Sequence, residues 1–337
     1  MSFKLSVKLW LIYFLLAFPL FYFVFKYGTP DYGLKDFYSY YELYKDWNIK
    51  AVDAPFNMRL LGSFFVYLFH KIGINYETTT AFDKIGLDRQ VFFDSVFFNM
   101  LCVVSTCVVI YKTIFKFFKD VLLSFIAGCI YLFGFGTLFY ELMPITDALS
   151  IFIFALVLYG YLAKKYWIII PLILLIIQRE YIYLALGLIC VLDYWKYREK
   201  YFLHILFVCI GCFAIYYVLR KTIFYTPAYD HQASPTYFLK AFTELRFPLI
   251  PYIKQTIMTM NVFIIYVLLV FYKKRKKLKI DTFNLAKLLL LFLQINVISF
   301  AAVFGNNTGR YFYILVPLVI FQLMKEIKPL LTLKSDH

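Results

Sequence analysis

The stretch YWIIIPLILLIIQREYIYLALGLICVLD, residues 166–193, decides how this chain is read. It is apolar apart from Gln178-Arg179-Glu180 at its centre and Asp193 at its end. As one helix it would cross a bilayer once and bury two charges at mid-depth. As two arms it goes in and returns. Each arm then has about 12 residues, near 18 Å at the helical rise, against roughly 30 Å of hydrocarbon. Arms that short must be surrounded by protein and line a cavity.

The basic residues choose between the two. With the N-terminus inside, Lys112, Lys116, Lys119, Lys164 and Lys165 fall inside. A single crossing would put Lys196, Arg198, Lys200 and the clump Lys273-Lys274-Arg275-Lys276-Lys277 outside. A hairpin puts both groups inside, with Lys325, Lys328 and Lys334, and leaves the short outer loops 140–146 and 305–309 without Lys or Arg. Cytoplasmic loops carry the excess of Lys and Arg, so the hairpin is favoured.

Composition agrees with a membrane setting. The chain is 63% hydrophobic and 16% charged, with mean hydropathy +0.73, whereas soluble domains run about 45–50% apolar and about 25% charged. This excludes a soluble globular enzyme, a disordered chain and a disulfide-framework domain. The net charge of +15 records topology, not nucleic-acid binding, and the 273–277 clump reads as a stop-transfer anchor beside anionic headgroups. The six cysteines, including Cys209-x-x-Cys212, sit among apolar neighbours and behave as small hydrophobes.

Apolar runs at 8–25, 91–111, 121–140, 147–163, 201–219, 251–272, 284–304 and 311–325, with the two arms, predict about ten membrane segments. Both termini are inside. The fold class is all-α, one polytopic integral membrane domain over 1–337. Two outer loops are long, 26–90 and 220–250. In the first, Leu60, Leu61, Phe64, Phe65, Leu68 and Phe69 recur at helical spacing, with Gly62, Ser63, His70 and Lys71 opposite, as in a helix lying in the interface. In the second, Ser234-Pro235 marks the start of another short helix.

Ionisable groups near membrane depth cost about 2.5–3.5 kcal/mol each, and here most gather on the outer side. Asp36 follows the first helix, Arg59 follows Pro55-Phe56, Glu141 and Asp147 bracket 140–146, and Arg179 and Glu180 form the hairpin tip. Arg220 and Lys221 precede the second long loop, and Arg310 follows Gly305-Asn306-Asn307-Thr308-Gly309. Each also has a structural reading: Asp36 and Asp147 as helix caps, Arg179 with Glu180 as an ion pair, Arg59 as a snorkelling charge. Asp31 reads as a turn residue, His231 as a loop residue and His204 as a packed core histidine. No P-loop, His-Glu-x-x-His or Gly-x-Ser-x-Gly motif is present, and Gly134-Phe-Gly136 reads as close helix packing.

The order Asp36-x-Tyr38, Pro55-Phe56-x-x-Arg59, Thr146-Asp147 and Arg179-Glu180 resembles the GT-C superfamily of polytopic glycosyltransferases, in particular bacterial mannosyl- and arabinofuranosyltransferase-like proteins. The resemblance covers about residues 1–220. It implies a bacterial cytoplasmic-membrane enzyme of the cell envelope that moves a sugar from a polyprenyl-phosphate donor to a glycan, lipid or protein acceptor at the outer face. It also implies Asp36 at the reaction centre as general base. Arg59, Arg179, Arg310, Arg220 and Lys221 would meet the donor phosphate, while Asp147, Glu180, Glu141 and Tyr38 would orient substrate. Some relatives use a divalent metal; no metal-ligand spacing occurs here, and the point stays open. Unlike several members, Asp36 has no adjacent acid. Two rival functions share the outer charges, a membrane polysaccharide polymerase with an arginine centre and a lipid-linked sugar flippase. The flippase would call for internal repeats, and none is seen.

Overall fold

Helix α1, Phe3–Tyr27, shows how this chain packs. Leu9, Tyr13, Ala17, Phe21 and Val24 recur every three or four residues and are buried, while Leu11, Leu15, Phe18 and Phe23 face outward. A stripe at helical spacing with an apolar far side is the signature of a helix with lipid behind it. The structure, a computed structural model, describes residues 3–28, 36–73, 86–226, 261–303 and 308–332, and these are helical with no strand among them.

The centre is α4, Arg89–Phe118, whose apolar window is 83% buried. Around it lie α1, α3 (Leu60–Ile72), α5 (Val121–Leu132), α6 (Asp147–Leu162) and α13 (Val316–Thr332). The remaining helices are α2 (Asp36–Asp46), α7 (Ile169–Leu174), α8 (Tyr181–Tyr197), α9 (Lys200–Thr222), α10 (Asn261–Arg275), α11 (Thr282–Val303) and α12 (Thr308–Tyr313). Between α5 and α6 the chain leaves regular α-helix, passing through a π-turn at Thr137–Glu141. Buried irregular backbone must find partners. Asn99 of α4 supplies them, donating from Nδ2 to the carbonyls of Met143 (2.5 Å) and Ile145 (2.8 Å). Gly134 and Gly136 lie against Tyr313, and a Cβ on Gly136 would strike its ring, which is the close packing that Gly134-Phe-Gly136 suggests.

Among the described residues four helices are long and apolar enough to cross a bilayer: α1, α4, α9 and the Thr282–Ser299 part of α11; residues 251–260 of the expected 251–272 segment lie outside the described residues. The expectation of about ten segments thus meets four of spanning length. The others are shorter, with 12 residues in α5, 16 in α6, 17 in α8, 15 in α10 and 17 in α13. The reason is local. α5 gives way to the π-turn, and the 166–177 arm is a 3₁₀ turn, six α-helical residues and a second 3₁₀ turn, Leu175–Ile177.

The 166–193 stretch reverses at Gln178-Arg179-Glu180. At one end Arg179 pairs with Asp147, the first residue of α6. At the other, Tyr161 near the end of α6 donates to Asp193 (2.9 Å), and Lys164 pairs with Glu199 (2.6 Å). Tyr183 donates to Leu172 O across the arms (2.6 Å). Polar groups therefore gather at two opposite ends of the bundle.

The small face of α3 meets protein. In α3, Gly62, Ser63 and Val66 are buried, whereas Phe64, Phe65, Leu68 and Ile72 are exposed. The small residues turn inward because they let the helix approach the hairpin tip, and the large apolar ones turn outward. The helix expected at Ser234-Pro235, the Asp31 turn, His231 and the 305–307 loop lie outside the described residues.

Candidate functional site

Five charged side chains from five segments meet at the hairpin-tip end. Arg310 of α12 donates from Nη1 to Asp36 Oδ2 and from Nε to Asp147 Oδ2, the latter at 2.5 Å. Arg179 Nη2 closes on the other carboxylate oxygen of Asp147 as an ion pair lying outside hydrogen-bonding angles. Arg59 donates from Nη1 to Tyr40 OH (2.9 Å), which is within 3.2 Å of Thr146 Oγ1, next to Asp147. Arg59 also lies over the Phe56 ring, 5.5 Å from its centroid.

Local structure explains each placement. Asp36 and Asp147 both open helices, where a carboxylate gains from the unpaired N–H groups and the helix dipole. Arg59 sits between the 3₁₀ turn Phe56–Met58 and α3, its backbone bent to φ −92°, ψ 57°. The tip is held by Gln178, whose Oε1 accepts from Gly62 N (2.9 Å) and whose Nε2 donates to Thr146 O (2.7 Å) and Ser150 Oγ (3.0 Å). One amide side chain thus joins α3, the entry to α6 and the hairpin.

Burial sets the electrostatics. The side chains of Arg179, Asp147 and Arg310 are 2%, 4% and 9% exposed, but that of Asp36 is 29% exposed, so it faces the opening. Burial pushes the Asp36 carboxyl up. Arg310, by charge and hydrogen bond, and then Arg59 and Arg179 by charge, outweigh it and hold the carboxyl below its ordinary range. Besides Arg179 Nη2, which has only its ion pair, three guanidinium N–H groups of this cluster, Arg59 Nε, Arg179 Nε and Arg310 Nη2, are buried with no hydrogen-bond partner among the described residues. Unpartnered buried donors cost free energy. Such donors, on three arginines of one cluster, are able to take an anion.

Other site residues fall at varying distance. Glu180 is half-buried and its carboxylate acts on Arg59 through charge. Glu141 is fully buried and accepts from Tyr131 OH, so it belongs to the core beneath the site. The reason is its place at the end of the π-turn, which directs it inward. Tyr38 is 41% exposed, its ring edge-on to Phe37. Arg220 is half-buried and Lys221 exposed over the Tyr217 ring, on the last turn of α9. Ala54 N donates to Thr226 Oγ1 (3.1 Å), so that end of α9 reaches the segment before Arg59.

Sequence reading missed Gln178 and Tyr40 as participants. Gln178 stood beside the two charges that drew attention, and a single amide at the centre of an apolar run was the available signal. Nothing distinguished Tyr40 among 31 tyrosines. Among the described residues no three His, Cys, Asp or Glu side chains gather as metal ligands. The nearest carboxylates, Asp36 and Asp147, are committed to Arg310, so the residues present do not fit a resident cation. No family model, no curated protein and no solved structure matches this chain.

Proposed function

We propose that this chain is a membrane glycosyltransferase that moves a sugar from a polyprenyl-phosphate donor to an acceptor at the outer face of a bacterial cytoplasmic membrane. One observation carries the reading. Arg59, Arg179 and Arg310 converge on Asp36 and Asp147 and retain buried N–H groups without partners. A lipid phosphate supplies the acceptors those groups lack. The shorter helices cross as well, about ten segments in all with both termini cytoplasmic, and the hairpin tip faces outward; the first arm is not enclosed by protein as its length led us to expect, since Ile170, Ile173 and Leu174 are exposed.

The chemistry follows from the Arg310 contacts. Phosphate at Arg310 Nη2 competes with Asp36 for the same guanidinium, freeing the more exposed carboxylate toward the acceptor. The acceptor oxygen attacks the anomeric carbon and its proton passes to Asp36. The bond from that carbon to the phosphate oxygen breaks, and the electron pair leaves on the lipid phosphate beside Arg59 and Arg179. Asp147 keeps Arg179 and Arg310 in place.

One observation favours the polymerase reading instead. Asp36 is already held by Arg310, as in a centre where arginines act and the acid only positions them. The test is the purified chain with a panel of polyprenyl-phosphate sugars, comparing wild type, Asp36→Asn and Arg179→Ala. Loss of transfer in both variants supports the transferase. Full transfer by a folded Asp36→Asn removes the general base, and retained polymer growth in that variant with none in Arg179→Ala selects the polymerase.

A further inference from the structure

The bundle end opposite the arginine cluster holds an open cleft of about 850 Å³ between α8, α10, α13 and the turn into α11. Its charged lining is Lys196, Lys273, Lys279 and Lys325 against Asp281 and Glu326. The acids are accounted for. Glu326 takes buried Lys273. Asp281 Oδ2 accepts from Lys325 Nζ (2.9 Å) and Asn284 Nδ2 (2.6 Å), and its Oδ1 accepts from Asn284 N (3.2 Å) as α11 begins. Two ammonium groups remain without an ion pair among the described residues, Lys196 and Lys279.

Lys196 does not simply extend into water. Its Nζ stands 4.1 Å from the centroid of the Phe283 ring and 5.0 Å from that of Tyr197, so two π-faces hold it at the cleft. The rest of the lining is apolar: Leu278, Ile280, Phe283, Pro329 and Leu330. Four ammonium groups face two carboxylates here, and although Lys196 also feels the charge of Asp281, an excess of positive charge over an apolar floor matches an anion that carries hydrocarbon. The volume lies in the range of small-molecule sites, larger than a bare phosphate fills.

We infer that this cleft binds the phosphate of an anionic amphiphile, its phosphate ester between Lys196 and Lys279 and its first carbons along Leu278, Phe283 and Leu330. The inference is independent of the transferase reading, since no residue of the outer cluster takes part. Lys274 and Arg275, which end α10, and Lys276 and Lys277 in the turn after it adjoin the cleft and raise the local concentration of anionic headgroups.

The test uses the full chain in neutral maltoside micelles. Thermal unfolding is followed with added phosphatidylglycerol, with phosphatidylcholine, and with glycerol phosphate as the water-soluble form of the same ester. The expected result is a rise of several degrees in Tm with phosphatidylglycerol and none with phosphatidylcholine. Lys196→Gln/Lys279→Gln should need about ten times more phosphatidylglycerol for the same rise, the scale of about 1.4 kcal/mol, while Lys50→Gln at the other end should behave as wild type. An equal rise with glycerol phosphate supports the phosphate contact and assigns it to a soluble ester. No rise with either phosphate compound, or the same titration in wild type and double variant, overturns the inference. Should the double variant fold poorly, Lys196→Arg keeps the charge and must retain the titration.

Discussion

Arg310 joins two carboxylates that lie 274 and 163 residues away in the chain, Asp36 and Asp147. A guanidinium has five donors in a planar fork, and here Nη1 serves one acid, Nε the other, and Nη2 neither. The first loop, the start of α6 and the start of α12 are thereby fixed to one another. Arg310→Lys retains the charge but replaces the fork with a single ammonium. It should bring a measurable fall in Tm and lose most of any lipid-phosphate binding, read by thermal unfolding and by retention of radiolabelled polyprenyl phosphate.

Asp147 is the keystone of charge, since it forms ion pairs with two arginines, Arg179 and Arg310. Asp147→Asn would leave Arg179 and Arg310 short of compensation in a buried site. Breaking a buried pair from one side costs about 3–5 kcal/mol, and unfolding followed in detergent should show destabilisation of that order. Asp147→Asn with Arg179→Gln, which removes one charge of each sign, should recover part of it.

The Asp36 carboxyl, held below its ordinary range by Arg310, gives a pH prediction with a definite sign. A depressed native pKa stabilises the fold fully above the unfolded value of about 3.9, and that contribution is lost as pH falls through the native value. The Tm gap between wild type and Asp36→Asn should therefore be constant from pH 5 to 8 and close only below about pH 4. A gap that changes between pH 6 and 8 would mean that Arg310 does not govern this acid.

Gln178 can be tested apart from the charges. Gln178→Ala leaves Gly62 N without its partner, a buried polar group costing about 1–3 kcal/mol, while Thr146 O loses one donor and keeps Ser150 Oγ. The tip should loosen relative to α3. Faster amide exchange at residues 60–63 and 178–181, with little change in α9, is the expected pattern. Gly62→Val should do the same, because its Cβ would press on Thr146 and Gln178.

The sequence and the structure agree where charge is scarce and disagree where it is not. Arg179, Arg310, Asp36 and Asp147 were legible because a charged residue in an apolar chain needs a reason, and the basic residues around 112–119, 164–165 and 273–277 placed those four on a common side. Tyr40 was not legible, since its role depends on Arg59 approaching through the turn at 56–58. The inward face of α3 was equally hidden. Hydrophobic periodicity identifies a stripe but not whether lipid or protein lies against it, and here Gly62 and Ser63 face protein. Regular helix is shorter than the apolar runs for a related reason: hydropathy runs through the π-turn at 137–141 and the 3₁₀ turns of the 166–177 arm, where the helix itself is interrupted.

The reversal at 178–180 is open to direct chemistry. The native cysteines 102, 107, 190, 209 and 212 are buried free thiols, and only Cys129 is partly accessible. A Cys129→Ser background should therefore be nearly silent to a membrane-impermeant maleimide. On it, Glu180→Cys places a thiol at the half-buried tip and Tyr197→Cys places one at the exposed far end of α8. With both arms between one pair of ends, as the Arg179–Asp147 and Tyr161–Asp193 contacts require, residues 180 and 197 face opposite sides. In intact cells the maleimide should label 180 and spare 197, and after permeabilisation both should react. Labelling of 197 but not 180 in intact cells would mean a single crossing. The tip would then lie in hydrocarbon, and Arg179 could not meet a phosphate at the outer surface.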